Sequence, residues 1–182
     1  MTARSNNKFI AFLRGINVGG SKIIPMKALA NEFEKCGMKN VKTILASGNV
    51  LFETNETSVT GLAKQLEVAV KNKFGFEVFV QVKRFEKIRR LVEKNPYKQY
   101  ASDKNVHLYV TFFDELKNSM PDTVCNNFTL LAIKDGMLFS ILYRQKGRST
   151  DFMAFIDKAF GKNVTTRNWN TLVKISTIST NR

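Results

Sequence analysis

The sequence predicts an α+β fold built from two similar halves. Two observations predict it: apolar, β-prone segments alternate with segments of helical periodicity, and the order of these segments repeats along the chain. Each half has the order strand, helix, strand, strand, helix, strand. This is the order of a split βαβ, or ferredoxin-like, unit, in which two helices cover one face of a four-stranded antiparallel sheet.

In the first half, glycine, proline or serine stands at the predicted ends of the helices. The predicted elements are a strand at 8–16, a helix between Pro25 and Gly37, a hairpin of 41–47 and 49–54 around Gly48, a helix between Ser58 and Gly75, and a strand at 76–84.

The second half repeats this order with weaker signals. The predicted elements are a strand at 106–113, a short helical turn at 114–118, a hairpin of 128–135 and 137–143 around Gly136, a helix from Thr150 or Asp151 to Gly161, and a short strand at 163–167. We therefore predict a first ferredoxin-like half at 1–84, a basic linker helix and loop at 85–104, and a second half at 105–182 that ends in a helix starting near Asn168.

The chain of 182 residues carries a net charge of +14, and residues 83–104 alone hold eight basic and three acidic residues. Such a charge favours anionic partners, either nucleic acid or phosphorylated small molecules, although it also fits a lysine-rich surface without function. No apolar run reaches the length of a membrane span, and the N-terminus lacks a signal-peptide core. The expected location is cytoplasmic, with no membrane partner.

Few residues of the types that hold metals or redox centres are present. The chain has one histidine, His107, and two cysteines, Cys36 and Cys125, and the cysteines form no CxxC pair. We therefore expect no metal site, no cofactor and two reduced, structurally inactive thiols.

A glycine-rich segment follows the first predicted strand and precedes the first helix. It contains Arg14, Asn17, Gly19 and Gly20. Glycines there let backbone N–H groups approach a ligand, and the start of a helix favours an anion. The segment is neither a Walker A loop nor a Rossmann fingerprint, and a plain turn between strand and helix is the alternative.

Two further polar segments stand at predicted element ends. Ser47, Gly48 and Asn49 form the tip of a hairpin, which is also ordinary turn chemistry. In the third segment, Arg167, Asn168 and the single tryptophan, Trp169, lie where a strand ends and a helix begins. Their donors suit a carboxylate or phosphate, while a capped helix with a core tryptophan is the structural alternative.

No catalytic constellation is recognisable. The chain has no GxSxG elbow, no HExxH and no second histidine for a triad. Whether the protein is an enzyme stays open, and no residue is nominated as catalytic.

Six segments together resemble one family over nearly the whole chain. They are RGINVGG (14–20), the Pro25–Met26 helix start, SGNV (47–50), EKNPY (93–97), HLYVTF (107–112) and TTRNWNT (165–171). In this order they resemble the bacterial "domain of unknown function 1697" family. The resemblance implies a single α+β chain of two ferredoxin-like subdomains, and it implies no reaction, ligand or residue role.

Three interpretations of function follow. In the first interpretation, the protein is a nucleic-acid-binding module, although the third strand lacks the aromatic signature of RNA-recognition modules. Alternatively, it binds a small anionic or phosphorylated ligand in a cleft between the halves, with Arg144, Lys146 and Arg148 as further partners. Or the motifs only lock the interface of the halves. The sequence favours the small anionic ligand and leaves the oligomeric state open.

Overall fold

A computed structural model describes residues 7–100, 104–114, 124–125, 127–144 and 149–178. The chain separates into two compact units, Met1–Arg90 and Leu91–Arg182. The division between the units falls inside one helix.

Within the described residues, fifteen elements follow one another. They are β1 (Asn7–Leu13), α1 (Met26–Lys35), β2 (Lys39–Ile44), β3 (Asn49–Thr54), α2 (Val59–Phe74), β4 (Val80–Arg84), α3 (Phe85–Lys94), a 3-10 turn (Lys98–Tyr100), β5 (Val106–Phe112), β6 (Val124–Cys125), β7 (Phe128–Lys134), β8 (Met137–Tyr143), α4 (Ser149–Phe160), β9 (Thr165–Asn168) and α5 (Trp169–Ser176).

Both units contain a ferredoxin-like sheet, which confirms the predicted fold class. The first sheet has the strand order β2-β3-β1-β4, and the second has the order β6-β7-β8-β5-β9. If β6 is set aside, the four remaining strands of the second sheet follow the same order as those of the first. All pairings between the named strands are antiparallel.

In the first unit, α1 and α2 pack on one face of the sheet. The side chains of Phe9, Ala11 and Leu13 alternate along β1 and form a core with Leu29 and Phe33 of α1. Leu62, Leu66 and Val70 of α2 complete this core. The spacing of four residues in α2 places its buried residues on one stripe, as the sequence pattern requires.

In the second unit, α4 packs on the sheet through aromatic contacts. Phe152 lies against Tyr109 and Phe128, with ring centroids 5.3 Å apart in both pairs. The predicted four-stranded sheet is wrong in one respect, because β6 adds a fifth strand. Two residues are too few to show a period of two, so the sequence pattern could not reveal this strand.

Several predicted boundaries also differ. The strand predicted at 8–16 ends at Leu13, and the strand predicted at 76–84 begins only at Val80. Helix α4 begins at Ser149, before the predicted caps at 150 and 151. The helical turn predicted at 114–118 lies outside the described residues after Asp114.

Gly48 is the glycine whose replacement the first unit tolerates least. It has a φ of +74°, and a Cβ at this position would lie 2.8 Å from Ile16 Cδ1 and 2.9 Å from Leu13 Cβ. We expect Gly48→Ala to cost about 1–3 kcal/mol for overpacking in addition to the cost of a left-handed alanine. Urea denaturation measures the loss.

Gly37→Ala is the matched control, because Gly37 has a φ of +85° and no atom within 4 Å of the added Cβ. It should show only the backbone cost, about 1 kcal/mol. Equal losses in the two variants would contradict the packing argument for Gly48.

Candidate functional site

The glycine-rich loop after β1 is tied to the β2–β3 turn by one side chain. Asn17 donates from Nδ2 to the carbonyl of Ala46 at 2.8 Å and to that of Ile24 at 3.0 Å. Its Oδ1 accepts from the backbone N–H of Ile24 at 2.8 Å. The carboxamide of Asn17 therefore joins residues 14–24 to residues 45–48, and these two loops are here called the loop pair.

Within the first loop, Gly19 and Gly20 form the tip of a tight turn. Their φ angles are +61° and +76°, and Val18 and Ser21 form an isolated antiparallel bridge on either side of them. Two successive positive φ angles are those of a type I′ turn. A Cβ on either glycine would meet no atom within 4 Å, so the backbone of this tip is open on that side.

The loop pair holds an unusual share of left-handed backbone. Across the described residues, six non-glycine residues and eight glycines have positive φ. Seven of these fourteen residues lie in the loop pair, namely Gly15, Asn17, Gly19, Gly20, Lys22, Leu45 and Gly48. Lys22 and Leu45, at +48° and +59°, carry side chains that disfavour this conformation, at a cost of about 1–2 kcal/mol each.

The remaining predicted residues of the first unit lie at the roots of the loop pair. Arg14 follows β1 directly, its N–H donates to the carbonyl of Phe79, and its side chain is half-buried. Asn49 is fully buried and donates to Ile44 O at 2.9 Å and to Ser47 Oγ at 3.0 Å. The side chain of Asn49 thus supplies hydrogen bonds to acceptors of the β2–β3 turn, whereas Ser47 is exposed at the tip of this turn.

Positive charge and an uncapped helix start accompany these loops. Lys22 donates to the carbonyl of Glu77 at 2.7 Å and lies over the ring of Phe76. Helix α1 has Pro25 at its N-cap, no capping side chain and no acidic residue in its first turn. The side chain of Ser58, by contrast, caps α2.

The third predicted segment lies in the second unit. Arg167 is 8% exposed, and its Nη1 donates to Thr165 Oγ1 and to the carbonyl of Thr166. Burial lowers the pKa of this guanidinium to about 10. Asn168 is the N-cap of α5 and accepts from the N–H of Asn170 at 2.9 Å, which confirms the predicted cap.

Trp169 is buried and packs edge-on against Tyr97, with ring centroids 5.2 Å apart. Tyr97 itself is fully buried, and its hydroxyl lies between two strands. That hydroxyl accepts from the N–H of Ser140 at 3.1 Å and donates to the carbonyl of Tyr109. One phenol thus joins β5 to β8 and supports the ring of Trp169.

Sequence reasoning assigned no role to Tyr97. The available signal was its place in the EKNPY segment, where an aromatic residue follows a proline. The loop predicted to supply Lys146 and Arg148 lies outside the described residues, and only Arg144, an exposed residue of the turn, can be placed.

Two features are absent from the described residues. No three His, Cys, Asp or Glu residues cluster there in a way that would suit a metal ion. Of the helices that the structure describes, none has both the length and the apolarity to cross a membrane.

Tyr97→Phe removes the hydroxyl that bridges β5 and β8. Because the N–H of Ser140 and the carbonyl of Tyr109 would lose this partner inside the protein, we expect a loss of about 1–3 kcal/mol in the free energy of unfolding. Denaturant unfolding measures it. Tyr100→Phe, at a half-exposed tyrosine nearby in the chain, is the control and should cost less than half as much.

The same phenol predicts a dependence on alkaline pH. Burial raises the pKa of the Tyr97 phenol far above the usual value of about 10, so the folded state disfavours its ionised form. Stability from this group is fully present below pH 10 and is lost as the pH rises above that value. Stability should therefore fall less steeply above pH 10 in Tyr97→Phe than in the native protein, and equal slopes would contradict the assignment.

Comparison with known proteins agrees with this architecture. A solved structure of a conserved bacterial protein from Streptococcus pneumoniae, SP0830, is similar with a TM-score of 0.72 and 19% identity, covering 94% of this chain and 98% of that one. At that identity the likeness concerns the fold alone. No curated protein matches the sequence. The model of the family described as "Protein of unknown function (DUF1697)" matches residues 7–128, and the chain belongs to this family.

Proposed function

We propose that the loop pair of the first unit binds a small anionic ligand, such as a phosphorylated metabolite. The observation that carries this proposal is the concentration of left-handed backbone there, including Lys22 and Leu45, in two exposed loops fastened by Asn17. Residues held in sparsely populated conformations cluster at ligand sites, where the strain maintains a preorganised geometry.

Packing offsets little of the backbone strain at Leu45. Leu45 remains 45% exposed, so little apolar burial offsets its positive φ. Val18 and Ile23, on the other loop, are 63% and 60% exposed. A loop pair selected only for stability would place glycine or asparagine at residue 45.

The electrostatics of the loop pair suit an anion. Arg14 lies at its root, and Lys22 and Lys27 flank the start of α1, whose first N–H groups receive no capping side chain. The acidic group beside Lys22 is Glu77, whose carboxylate pairs with Lys71 at 2.8 Å. Open glycine backbone at the turn tip gives further N–H groups room to approach an oxyanion.

Nucleic acid binding through the basic helix α3 has weaker support. Glu86 pairs with Arg90 at 3.1 Å and with Arg89 at 3.6 Å, so two of the basic side chains of this helix have an acidic partner on the same helix. Helix α3 as a whole holds four basic and two acidic residues, so its own net charge is +2.

Amide NMR tests the proposal directly. The amides of Gly15, Gly19 and Gly20 report on the loop pair, and those of Gly75 and Gly161 report on the rest of the chain. Inorganic pyrophosphate should shift the first set saturably, with little loss between about 50 and 200 mM salt. Arg14→Gln should weaken binding about tenfold or more, since charged hydrogen bonds contribute about 1.5–3 kcal/mol.

Lys73→Gln is the control, because it removes one exposed charge from the last turn of α2 and should leave the affinity unchanged. A response only to a single-stranded RNA oligonucleotide, collapsing with salt, would replace the proposal with nucleic-acid binding. No response to either probe, together with a large loss of stability in Arg14→Gln, would assign the motif a structural role.

A further inference from the structure

The two sheets differ at three equivalent positions on their helix-bearing faces. In the first unit, the central strand presents Phe9, Ala11 and Leu13, and the neighbouring edge strand presents Val80 and Val82. All five are at most 3% exposed. This is the ordinary pattern for a sheet face covered by helices.

In the second unit, the register places Tyr109, Thr111 and Thr166 where the first unit has Phe9, Ala11 and Val82, so polar or amphipathic side chains replace apolar ones at three positions. Together with His107 of β5 and Asn168 of β9 on the same face, these three residues are here called the polar band. The register pairs Tyr109 with Asn168 and Thr111 with Thr166. Tyr109 packs on Phe152 of α4, which places the polar band on the face that carries this helix.

The band is an ordered polar surface. Thr111 is fully buried, and its hydroxyl lies 2.8 Å from that of Thr166. A side-chain hydrogen bond joins Asn168 to the phenol of Tyr109, and the ring of His107 lies 6.2 Å from that of Tyr109 at an angle of 46°. Four of the five residues are half-buried, so their groups are partly accessible on a structured surface.

A positive charge stands beside the two rings. Burial and, second, the charge of Arg144 lower the pKa of His107, which keeps its imidazole neutral at pH 7. Burial raises the pKa of Tyr109, against the opposing effects of the Asn168 hydrogen bond and Arg144. Both phenol and imidazole are therefore neutral at pH 7, and Arg144, which is exposed, supplies the cation.

We propose that the polar band and Arg144 form a second binding site, for a small planar ring that carries a phosphate or carboxylate. The adjacent rings of His107 and Tyr109 offer an aromatic surface, Asn168 and Thr166 offer hydrogen-bonding groups, and Arg144 binds the anion. Core-facing positions that break the apolar pattern are expected at functional sites. This inference does not depend on the loop pair of the first unit.

The single histidine of the chain makes the test selective. The imidazole C–H signals of His107 are followed at pH 8 during titration with adenosine monophosphate, adenosine and inorganic phosphate. The monophosphate should shift them saturably, with an affinity at least tenfold higher than that of adenosine or phosphate alone. In the same samples, the glycine amides of the loop pair report separately on the first proposed site.

Arg144→Gln should lower the affinity for adenosine monophosphate at least tenfold and leave the affinity for adenosine unchanged. Lys158→Gln, which removes an exposed charge from α4, should leave both affinities unchanged. Absence of a saturable His107 shift, or equal responses to the monophosphate and to phosphate alone, would overturn the proposal. If Arg144→Gln bound the monophosphate as tightly as the native protein does, the proposed contact between Arg144 and the anion would be wrong.

Discussion

The antiparallel pairing of β1 with both of its neighbours is the constraint on which the first unit depends. Because β3 and β4 both run opposite to β1, the end of β1 meets the start of each of them. The N–H of Leu13 donates to the carbonyl of Gly48, and that of Arg14 donates to the carbonyl of Phe79. Three loops distant in sequence are thereby brought to one end of the sheet.

This convergence explains the arrangement of the polar motifs without requiring one role for all of them. Asn49 and Gly48 are needed by the turn itself, since one satisfies a buried carbonyl and the other leaves no room for a Cβ. Asn17 fastens one loop to the next. Arg14 and Ser47 remain at the surface of this framework, which is why they, with the turn glycines, form the proposed ligand contact.

The second unit uses the same strand order for a different interior. A phenol inserted between β5 and β8 supports the single tryptophan, and polar side chains occupy core-facing positions of β5 and β9. At the positions equivalent to Tyr109, Thr111 and Thr166, the first unit has the apolar, buried Phe9, Ala11 and Val82. The two units thus share a backbone topology, while the side chains of each unit set the polarity of its helix-bearing sheet face.

The proposed sites differ in how much of them was visible in the sequence. Arg14, Asn17, Gly19, Gly20 and Ser47 stood out as a glycine-rich segment and a hairpin tip, and the cap at Asn168 was predictable from its residue type. Tyr97 and Tyr109 were not singled out, because an aromatic residue in an apolar segment has no local signal that separates a core position from a polar contact. Their hydrogen bonds run to residues 12–59 positions away in the chain.

The sequence by itself determined the fold class and the order of the elements. Hydrophobic periodicity and the glycines at element ends are local properties, and in the described residues they sufficed for both halves apart from the two-residue strand β6. Only the tertiary structure decided that Asn17 reaches Ala46, that Leu45 lies in the left-handed region, and that His107, Tyr109 and Asn168 share one face. Those facts depend on strand register, and register is set by pairing between segments far apart in the chain.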